Sequence, residues 1–197
     1  MKIGVGVEGP SDAKFWGKVL CKHFQSHQFY VRNMNCKSKL IRETPKLVDH
    51  YRKLGYAAAI IFVDCDDPPY CATPVIEKFE AETQEMAREP LQERFVFICV
   101  AIRELEAWFL ADPAAIKKIV EVAYQPSTQE DTGDLNAEKT LKDLWRKQHG
   151  KNSPLNKIDF AERIAKHFNP EQAMKRSASF KHCWNRIRDK VNDFSET

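Results

Sequence analysis

Short apolar runs rich in Val, Ile and Phe alternate with longer amphipathic stretches over the first 112 residues of the chain. This alternation is typical of parallel strands whose two faces are both covered by crossover helices. It predicts strands at Lys2–Val7, Phe29–Met34, Ala57–Val63 and Phe95–Ile102, and helices beginning near Pro10 and over Leu40–Leu54 and Pro74–Arg88. The sequence therefore predicts an α/β domain with a parallel sheet of about four strands and flanking helices.

The alternation stops after Asp112-Pro113, and the remaining apolar positions recur at helical spacing. We predict helices at Ala114–Ala123, Leu135–His149, Ile158–Phe168 and Ser179–Val191, with a polar loop over Gln125–Asp134. A chain of 197 residues has room for one ordinary domain with a smaller appendage. We therefore expect an α/β domain over residues 1–112 and a helical portion, residues 113–197, packed on it.

Charge is distributed unevenly along the chain, although the net charge is only +3. Residues 139–190 hold 14 Lys and Arg against 5 Asp and Glu, whereas residues 1–138 hold 17 against 21. A basic segment after an acidic one suggests chemistry in the first part and contact with a polyanion in the second. Lys175, Arg176 and Lys181 are the candidate contacts to nucleic-acid phosphates in the basic segment.

The six cysteines form no CxxC pair and have no spacing to histidine of the kind that zinc sites use. The N-terminal residues lack the apolar region of a signal peptide, and no segment is apolar enough to span a membrane. We expect a protein of the reducing cytoplasm that has no membrane partner.

Acidic residues follow three of the predicted strands. Glu8 follows the first strand, Asp64 and Asp66 the third, and Glu104 and Glu106 the fourth, while Asp12 lies four residues beyond Glu8. Ligands of open parallel sheets bind beyond the carboxyl ends of the strands. Carboxylates gathered there repel one another unless a cation neutralises them, and hard oxygen ligands suit Mg²⁺ or Mn²⁺.

Each acid also has a purely structural interpretation. A single Asp after a strand is most often a turn residue or a helix N-cap, and this interpretation applies to Asp64 and Asp12. Asp67 is an alternative metal ligand.

Gly4-x-Gly6-x-x-Gly9 matches the dinucleotide-binding fingerprint in letters alone, because only three residues precede Gly4 and no acid ends the second strand. We therefore reject a dinucleotide site.

Two motifs carry a family resemblance. Glu8-Gly9-Pro10-Ser11-Asp12 after one strand and Asp64-Cys65-Asp66 after another resemble the Toprim domain of topoisomerases, bacterial primases and nucleases of the OLD (overcoming lysogenisation defect) type. The Glu-x-x-x-Asp form with a later acid is most similar to the OLD nucleases. The stretch from Glu104 to Asp112 further resembles short bacterial Toprim-like proteins that are encoded beside an ATPase in mobile or defence loci.

This resemblance implies a Toprim-like fold over residues 1–112 and a metal-dependent site. The implied metal ligands are Glu8, Asp12, Asp64, Asp66 and Glu106, with Glu104 as the alternative to Glu106. OLD nucleases also use a lysine near the scissile phosphate, for which Lys157, Lys175 and Lys181 are candidates, Lys157 and Lys181 foremost. No Walker motif occurs in this chain, so the resemblance implies a separate ATPase partner, and it is compatible with a homodimer.

The sequence thus favours a Mg²⁺- or Mn²⁺-dependent nuclease that cleaves DNA or RNA, with a role in phage or plasmid defence. The alternative is a non-catalytic Toprim-like subunit that binds or regulates a partner ATPase. A phosphatase or receiver domain fits less well, because those folds place their paired acids after the first strand, whereas Asp64 and Asp66 follow the third.

Overall fold

A computed structural model describes residues 1–68, 70–86, 95–125 and 136–193. The strands are β1 (Lys2–Val7), β2 (Gln28–Asn33), β3 (Ala58–Cys65) and β4 (Val96–Ile102). The helices are α1 (Pro10–His23), α2 (Lys37–Lys53), α3 (Ala72–Met86), α4 (Leu105–Leu110), α5 (Pro113–Val120), α6 (Ala137–His149), α7 (Lys157–His167), α8 (Pro170–Ala173) and α9 (Ala178–Asp193).

The four strands form one parallel sheet in the order β2-β1-β3-β4. This arrangement confirms the predicted α/β fold class. β2 lies on one side of β1 and β3 lies on the other. The helix that follows β1 is α1, the helix that follows β3 is α3, and the two lie on opposite faces of the sheet. Ligands of open α/β sheets bind at such a switch point, beyond the carboxyl ends of the strands.

Two apolar cores lie on the two faces of the sheet. On one face α2 and α3 cover Ala59, Ile61 and Val63. On the other face α1 packs together with α4–α9 against the alternate residues of the strands. The ring of Trp16 stacks on Phe62 with centroids 3.7 Å apart. The C-terminal helices therefore share a continuous hydrophobic core with the sheet and α1.

Two glycines of the rejected dinucleotide fingerprint serve the packing of α2 on β1. A Cβ atom on Gly4 would lie 2.2 Å from the ring of Tyr51, and one on Gly6 would lie 3.1 Å from Leu47, both of which belong to α2. Tyr51 is buried and donates its hydroxyl to the carbonyl of Val5 at 3.3 Å. The glycines thus allow a helix to approach the strand closely.

The observed elements differ from the predicted ones in three places. β3 continues through Asp64 and Cys65, because these residues pair with Ala101 and Ile102. The short helix α8 was not predicted, and α2 begins at Lys37, three residues before the predicted Leu40. Residues 126–134 of the predicted polar loop and 87–88 of the predicted third helix lie outside the described residues. Of the helices described, none has the length and apolar character needed to cross a membrane.

Candidate functional site

The acids that follow the strands lie at one edge of the sheet. Glu8 directly follows β1, and Asp64 is the penultimate residue of β3. Asp66 comes just after β3, and Glu106 lies in the first turn of α4, which follows β4. Since β1, β3 and β4 run parallel, their carboxyl ends bring these four side chains to the same edge.

Glu8 links the ends of β1 and β3. Its Oε1 accepts a hydrogen bond of 2.7 Å from the backbone N–H of Asp64. Burial raises the pKa of Glu8 to about 7, and the negative charges of Asp12 and Asp66 add to the rise against the opposing hydrogen bond. The carboxylate is therefore held at the switch point in an environment that disfavours its charge.

Asp12 occupies the third position of α1 and is not its N-cap, which is Gly9. The N-cap interpretation of Asp12 is therefore wrong, because the helix begins earlier, at Pro10. Its Oδ2 accepts from the backbone N–H of Gly9 at 2.7 Å, which is the half of a capping box that a glycine N-cap allows. Burial and the charge of Glu106 together raise the pKa of Asp12 to about 6, against the opposing hydrogen bond from Gly9.

Asp64 lies at the centre of the acidic cluster, which we define as Glu8, Asp12, Asp64, Asp66 and Glu106. Burial raises its pKa well above the usual value, and the charges of the other four cluster members each add to the rise. A carboxyl group feels four others in this way only where all of them lie close by. The fold thus brings together the five acids that the sequence singled out.

Two lysines face the cluster. Lys37, in the first turn of α2, pairs with Asp66. Burial disfavours its charge, but the bond to Asp66 and the nearby acids raise its pKa overall. Lys157, at the start of α7, lies 2.9 Å from Glu106 and 2.9 Å from Glu138. These carboxylates outweigh the effect of burial and raise the pKa of Lys157, so its ammonium stays charged.

Of the three lysine candidates, only Lys157 contacts an acid of the cluster. Lys175 donates to Gln172 at 3.5 Å, and Lys181 is exposed on the first turn of α9. Within the described part of the chain neither contacts the cluster. Arg176 is half-buried between α8 and α9. Lys175 and Lys181 therefore lie on the surface of the C-terminal helices, as a phosphate-contacting role would require.

Glu104 and Glu106 point to different partners. Glu106 is buried and pairs with Lys157. Glu104 is the N-cap of α4, and its Oε1 accepts at 2.7 Å from the backbone N–H of Glu138, in the first turn of α6. Glu104 thus holds α6 against α4, whereas Glu106 belongs to the cluster.

The donor set suits a hard divalent cation. All five cluster members offer carboxylate oxygens, and the raised pKa values of Glu8, Asp12 and Asp64 reflect repulsion and burial that a cation would relieve. As the side chains lie, no three described acidic, histidine or cysteine side chains form a ready metal cage. Asp66 and Glu106 instead bind the lysines, so metal binding would require them to turn from Lys37 and Lys157.

Sequence reasoning missed Lys37 and Glu138. Lys37 follows β2, whose carboxyl end lies at the same sheet edge as the acids, and this position was the available signal. Glu138 had no such signal, because only the packing of α6 against α4 brings it to Lys157.

Comparisons with known proteins identify a family but no activity. No curated protein matches the chain. Among solved structures, the C-terminal region of the Burkholderia pseudomallei OLD protein is similar over 96% of this chain and 98% of that one, at 13% identity and a TM-score of 0.49. A family model described as a domain of unknown function (DUF4276) matches residues 7–188. The chain therefore belongs to the DUF4276 family.

Proposed function

We propose that the protein is a Mg²⁺- or Mn²⁺-dependent nuclease that hydrolyses phosphodiester bonds of DNA or RNA. The observation that carries the proposal is the placement of five acids at the switch point of a parallel sheet, beyond the carboxyl ends of β1, β3 and β4. Carboxyl groups with perturbed pKa values that are gathered at the ligand-binding edge of a parallel sheet favour a functional site. The Toprim-like motifs that contain these residues support the same chemistry.

The residues divide into two roles. Glu8, Asp12, Asp64, Asp66 and Glu106 would hold the cation. A bound divalent cation would supply an activated water and neutralise charge on the leaving oxygen. Lys157 keeps its proton because of Glu106 and Glu138, so it presents a fixed positive charge beside the cluster. Such a preorganised cation can stabilise charge that develops on a phosphate oxygen.

A metal titration with a cleavage assay tests this proposal. Millimolar Mn²⁺ or Mg²⁺ should raise the Tm of the wild type by mass action. Asp66→Asn should abolish that rise and the cleavage of nucleic acid with little loss of stability, because the amide keeps the size of the side chain and loses its charge. Asp49→Asn, which removes an exposed acid paired with Lys53 on α2, is the matched control and should behave as the wild type.

Either of two results would contradict the proposal. One is a wild-type Tm that Mn²⁺ does not change. The other is cleavage that survives in the Asp66→Asn variant, which would assign the activity to a different site or to a contaminant.

A second candidate function is a non-catalytic subunit that acts through a partner ATPase. The pairing of Asp66 with Lys37 and of Glu106 with Lys157 favours it, because the protein itself neutralises two of the five acids. This candidate predicts that the isolated chain cleaves nothing with either metal. The cleavage assay on the isolated wild type separates the two functions.

A further inference from the structure

A small cleft beside the acidic cluster contains an arginine that is not among the metal ligands or the lysines of the proposed reaction. The cleft has a volume of about 160 Å³ and is lined by Asp66, Tyr70, Arg103, Glu104 and Asn136. It lies between the carboxyl ends of β3 and β4 and the start of α6. Its position next to Asp66 makes it an extension of the candidate site.

Two residues of the cleft have backbone conformations that L-amino acids rarely adopt. The φ angle is +74° at Arg103 and +55° at Tyr70, and among the other non-glycine residues described only Asn35 and Glu121 have positive φ. Left-handed conformations cost free energy, and they cluster where function requires a particular side-chain placement. Two of these four residues, Tyr70 and Arg103, line the same cleft, so the backbone that forms its wall is held in a strained conformation.

The two strained residues contact each other through their side chains. The guanidinium carbon of Arg103 lies 4.3 Å from the centre of the Tyr70 ring. A guanidinium over an aromatic ring is attracted to the face of that ring, and its five N–H donors form a planar fork. This planar fork matches the oxygens of a phosphate group better than a lysine ammonium does.

The acids on the wall of the cleft have partners of their own. Asp66 pairs with Lys37, and Glu104 accepts from the backbone N–H of Glu138. Asn136 uses its Oδ1 to cap α6 through Lys139 N–H at 2.8 Å, so its amide NH₂ is the group that can donate to a ligand. These pairings reduce the repulsion that an entering anion would meet.

We infer that Arg103, positioned by Tyr70, binds a phosphate group of the substrate next to the one that is cleaved, with Asn136 as a second donor. The inference rests on the proposed function, since it assigns the cleft to the same nucleic-acid strand. Arg103 would thus contribute to binding the strand and to its register on the acidic cluster.

Arg103→Gly tests the inference, because glycine adopts a φ of +74° without strain and removes the guanidinium. The matched control is Glu121→Gly, which relieves the left-handed C-cap of α5 at an exposed position away from the cleft. Binding of a short fluorescein-labelled oligonucleotide is measured by anisotropy, with Ca²⁺ replacing Mg²⁺ to prevent cleavage. In a second measurement, the Tm is followed with AMP and with adenosine in the presence of Mg²⁺.

We expect Glu121→Gly to keep or raise the Tm of the wild type, and Arg103→Gly to remain folded because relief of its left-handed conformation offsets the lost contact with Tyr70. Arg103→Gly should bind the oligonucleotide at least tenfold more weakly, whereas Glu121→Gly should bind it as the wild type does. AMP, but not adenosine, should raise the Tm of the wild type, and this rise should vanish in Arg103→Gly. Arg103→Lys is the second variant if glycine prevents folding, and it too should weaken binding because it lacks the planar fork.

The results separate the inference from the proposed function. If the wild type binds the oligonucleotide and Arg103→Gly binds it equally well, the inference is wrong and the nuclease proposal is untouched. If AMP raises the wild-type Tm through Arg103 but no nucleic acid is cleaved, the phosphate site stands and the nuclease proposal fails. A wild type that responds to neither the oligonucleotide nor AMP overturns the inference.

Discussion

At the scale of single residues, the site is governed by the cost of placing negative charges together away from water. Asp64 lies among the other four acids of the cluster, and its pKa is raised by burial and by their negative charges. The sheet holds these groups in place through hydrogen bonds to backbone N–H groups, such as the 2.7 Å bond between Glu8 and Asp64. The cluster therefore stores unfavourable free energy that a bound cation would release.

Removing the central charge should stabilise the metal-free protein. We expect Asp64→Asn to raise the Tm in EDTA at pH 8 by about 2–5 °C, because it relieves repulsion among the remaining acids. The same variant should lose the increase in Tm that Mn²⁺ gives the wild type. Differential scanning fluorimetry with EDTA and with Mn²⁺ measures both effects. A metal-free Tm below that of the wild type would contradict this electrostatic account.

The pH dependence of stability should also reveal the cluster. The pKa values of Glu8 and Asp12 are raised to about 7 and about 6 in the folded state, so the folded protein binds more protons than the unfolded chain between about pH 4 and pH 7. Glu8 and Asp12 therefore lower the free energy of unfolding at pH 8, and this destabilisation disappears as the pH falls and the two groups take up protons. From pH 8 to pH 5.5 in EDTA, the free energy of unfolding should rise by on the order of 2 kcal/mol relative to that of Glu8→Gln.

Urea unfolding of the wild type and Glu8→Gln at the two pH values makes this measurement, and the difference between them cancels the histidines, whose titration acts in the opposite direction. Saturating Mn²⁺ should reverse the trend, because the carboxyl groups must lose their protons to bind metal. Equal pH dependence in the two proteins would mean that Glu8 does not titrate in this range.

At the scale of secondary-structure elements, α4 determines which acids join the cluster. This helix begins shortly after β4, so residues 104 and 106 leave its first turn in different directions. Glu104 accepts a hydrogen bond from the N-terminus of α6, whose backbone N–H groups and dipole favour a carboxylate. Glu106 is left to face Asp12, Asp64 and Lys157.

Substitutions at the two glutamates should therefore have separable effects. Glu104→Gln should cost about 1 kcal/mol of stability through the weaker bond to Glu138 and leave most of the cleavage activity. Glu106→Gln should lower kcat by about a hundredfold or more with a smaller effect on stability. Chemical denaturation and cleavage kinetics of the two variants test this. Equal kinetic effects would place both residues in the same role.

The close packing of α2 on β1 makes the stability of the protein sensitive to a single added methyl group. Gly4→Ala puts a Cβ atom within 2.2–2.6 Å of three ring atoms of the buried Tyr51, so we expect a loss of about 3 kcal/mol. Gly17→Ala is the matched control, because the nearest atom to its new Cβ is 3.8 Å away and the residue lies inside α1. This control should gain about 0.5–1 kcal/mol from helix propensity. Urea unfolding of both variants measures the difference.

At the scale of the whole molecule, the C-terminal helices serve both the core and the site. α7 packs along α1, with Lys18 bonded to Glu162 at 2.8 Å, and the same helix brings Lys157 to the acidic cluster. The excess of Lys and Arg over residues 139–190 is carried by the outer faces of these helices. If the proposed nuclease function holds, basic side chains on these helices attract the nucleic acid and orient its backbone.

Binding of nucleic acid should therefore depend on these basic side chains. Replacing Lys175, Arg176 and Lys181 with Ala should weaken the binding of all sequences alike. On duplex DNA it should reduce the slope of log K against log salt by about 0.9 for each phosphate that the variant no longer neutralises. Because Arg176 is half-buried, the double variant of Lys175 and Lys181 shows how much of the effect comes from exposed charge alone. Fluorescence anisotropy over a range of salt concentrations gives the slopes.

The matched control replaces Lys46 and Lys53, which are exposed on α2 on the other face of the sheet. That variant loses the same charge as the double variant and should keep the wild-type slope. Equal slopes for the wild type and the triple variant would exclude these helices as the nucleic-acid surface and favour the partner-binding function.

The sequence by itself determined the α/β class and the parallel sheet, because the burial of strands on both faces leaves apolar runs that are recognisable in the sequence alone. It also predicted that Glu8, Asp64 and Asp66 meet at one edge of the sheet, since these acids follow strands and the carboxyl ends of parallel strands lie together, and it left Glu104 and Glu106 as alternatives.

Only the tertiary structure decided which cations face these acids and what the glycines do. Lys37, Lys157 and Glu138 come from three helices that are far apart in the chain, and their meeting depends on how α2, α6 and α7 pack. The choice between Glu104 and Glu106 depended on the position of α6. The strained contact of Arg103 with Tyr70 left no local pattern, because a left-handed conformation of a non-glycine residue is imposed by its surroundings and not by its own preference.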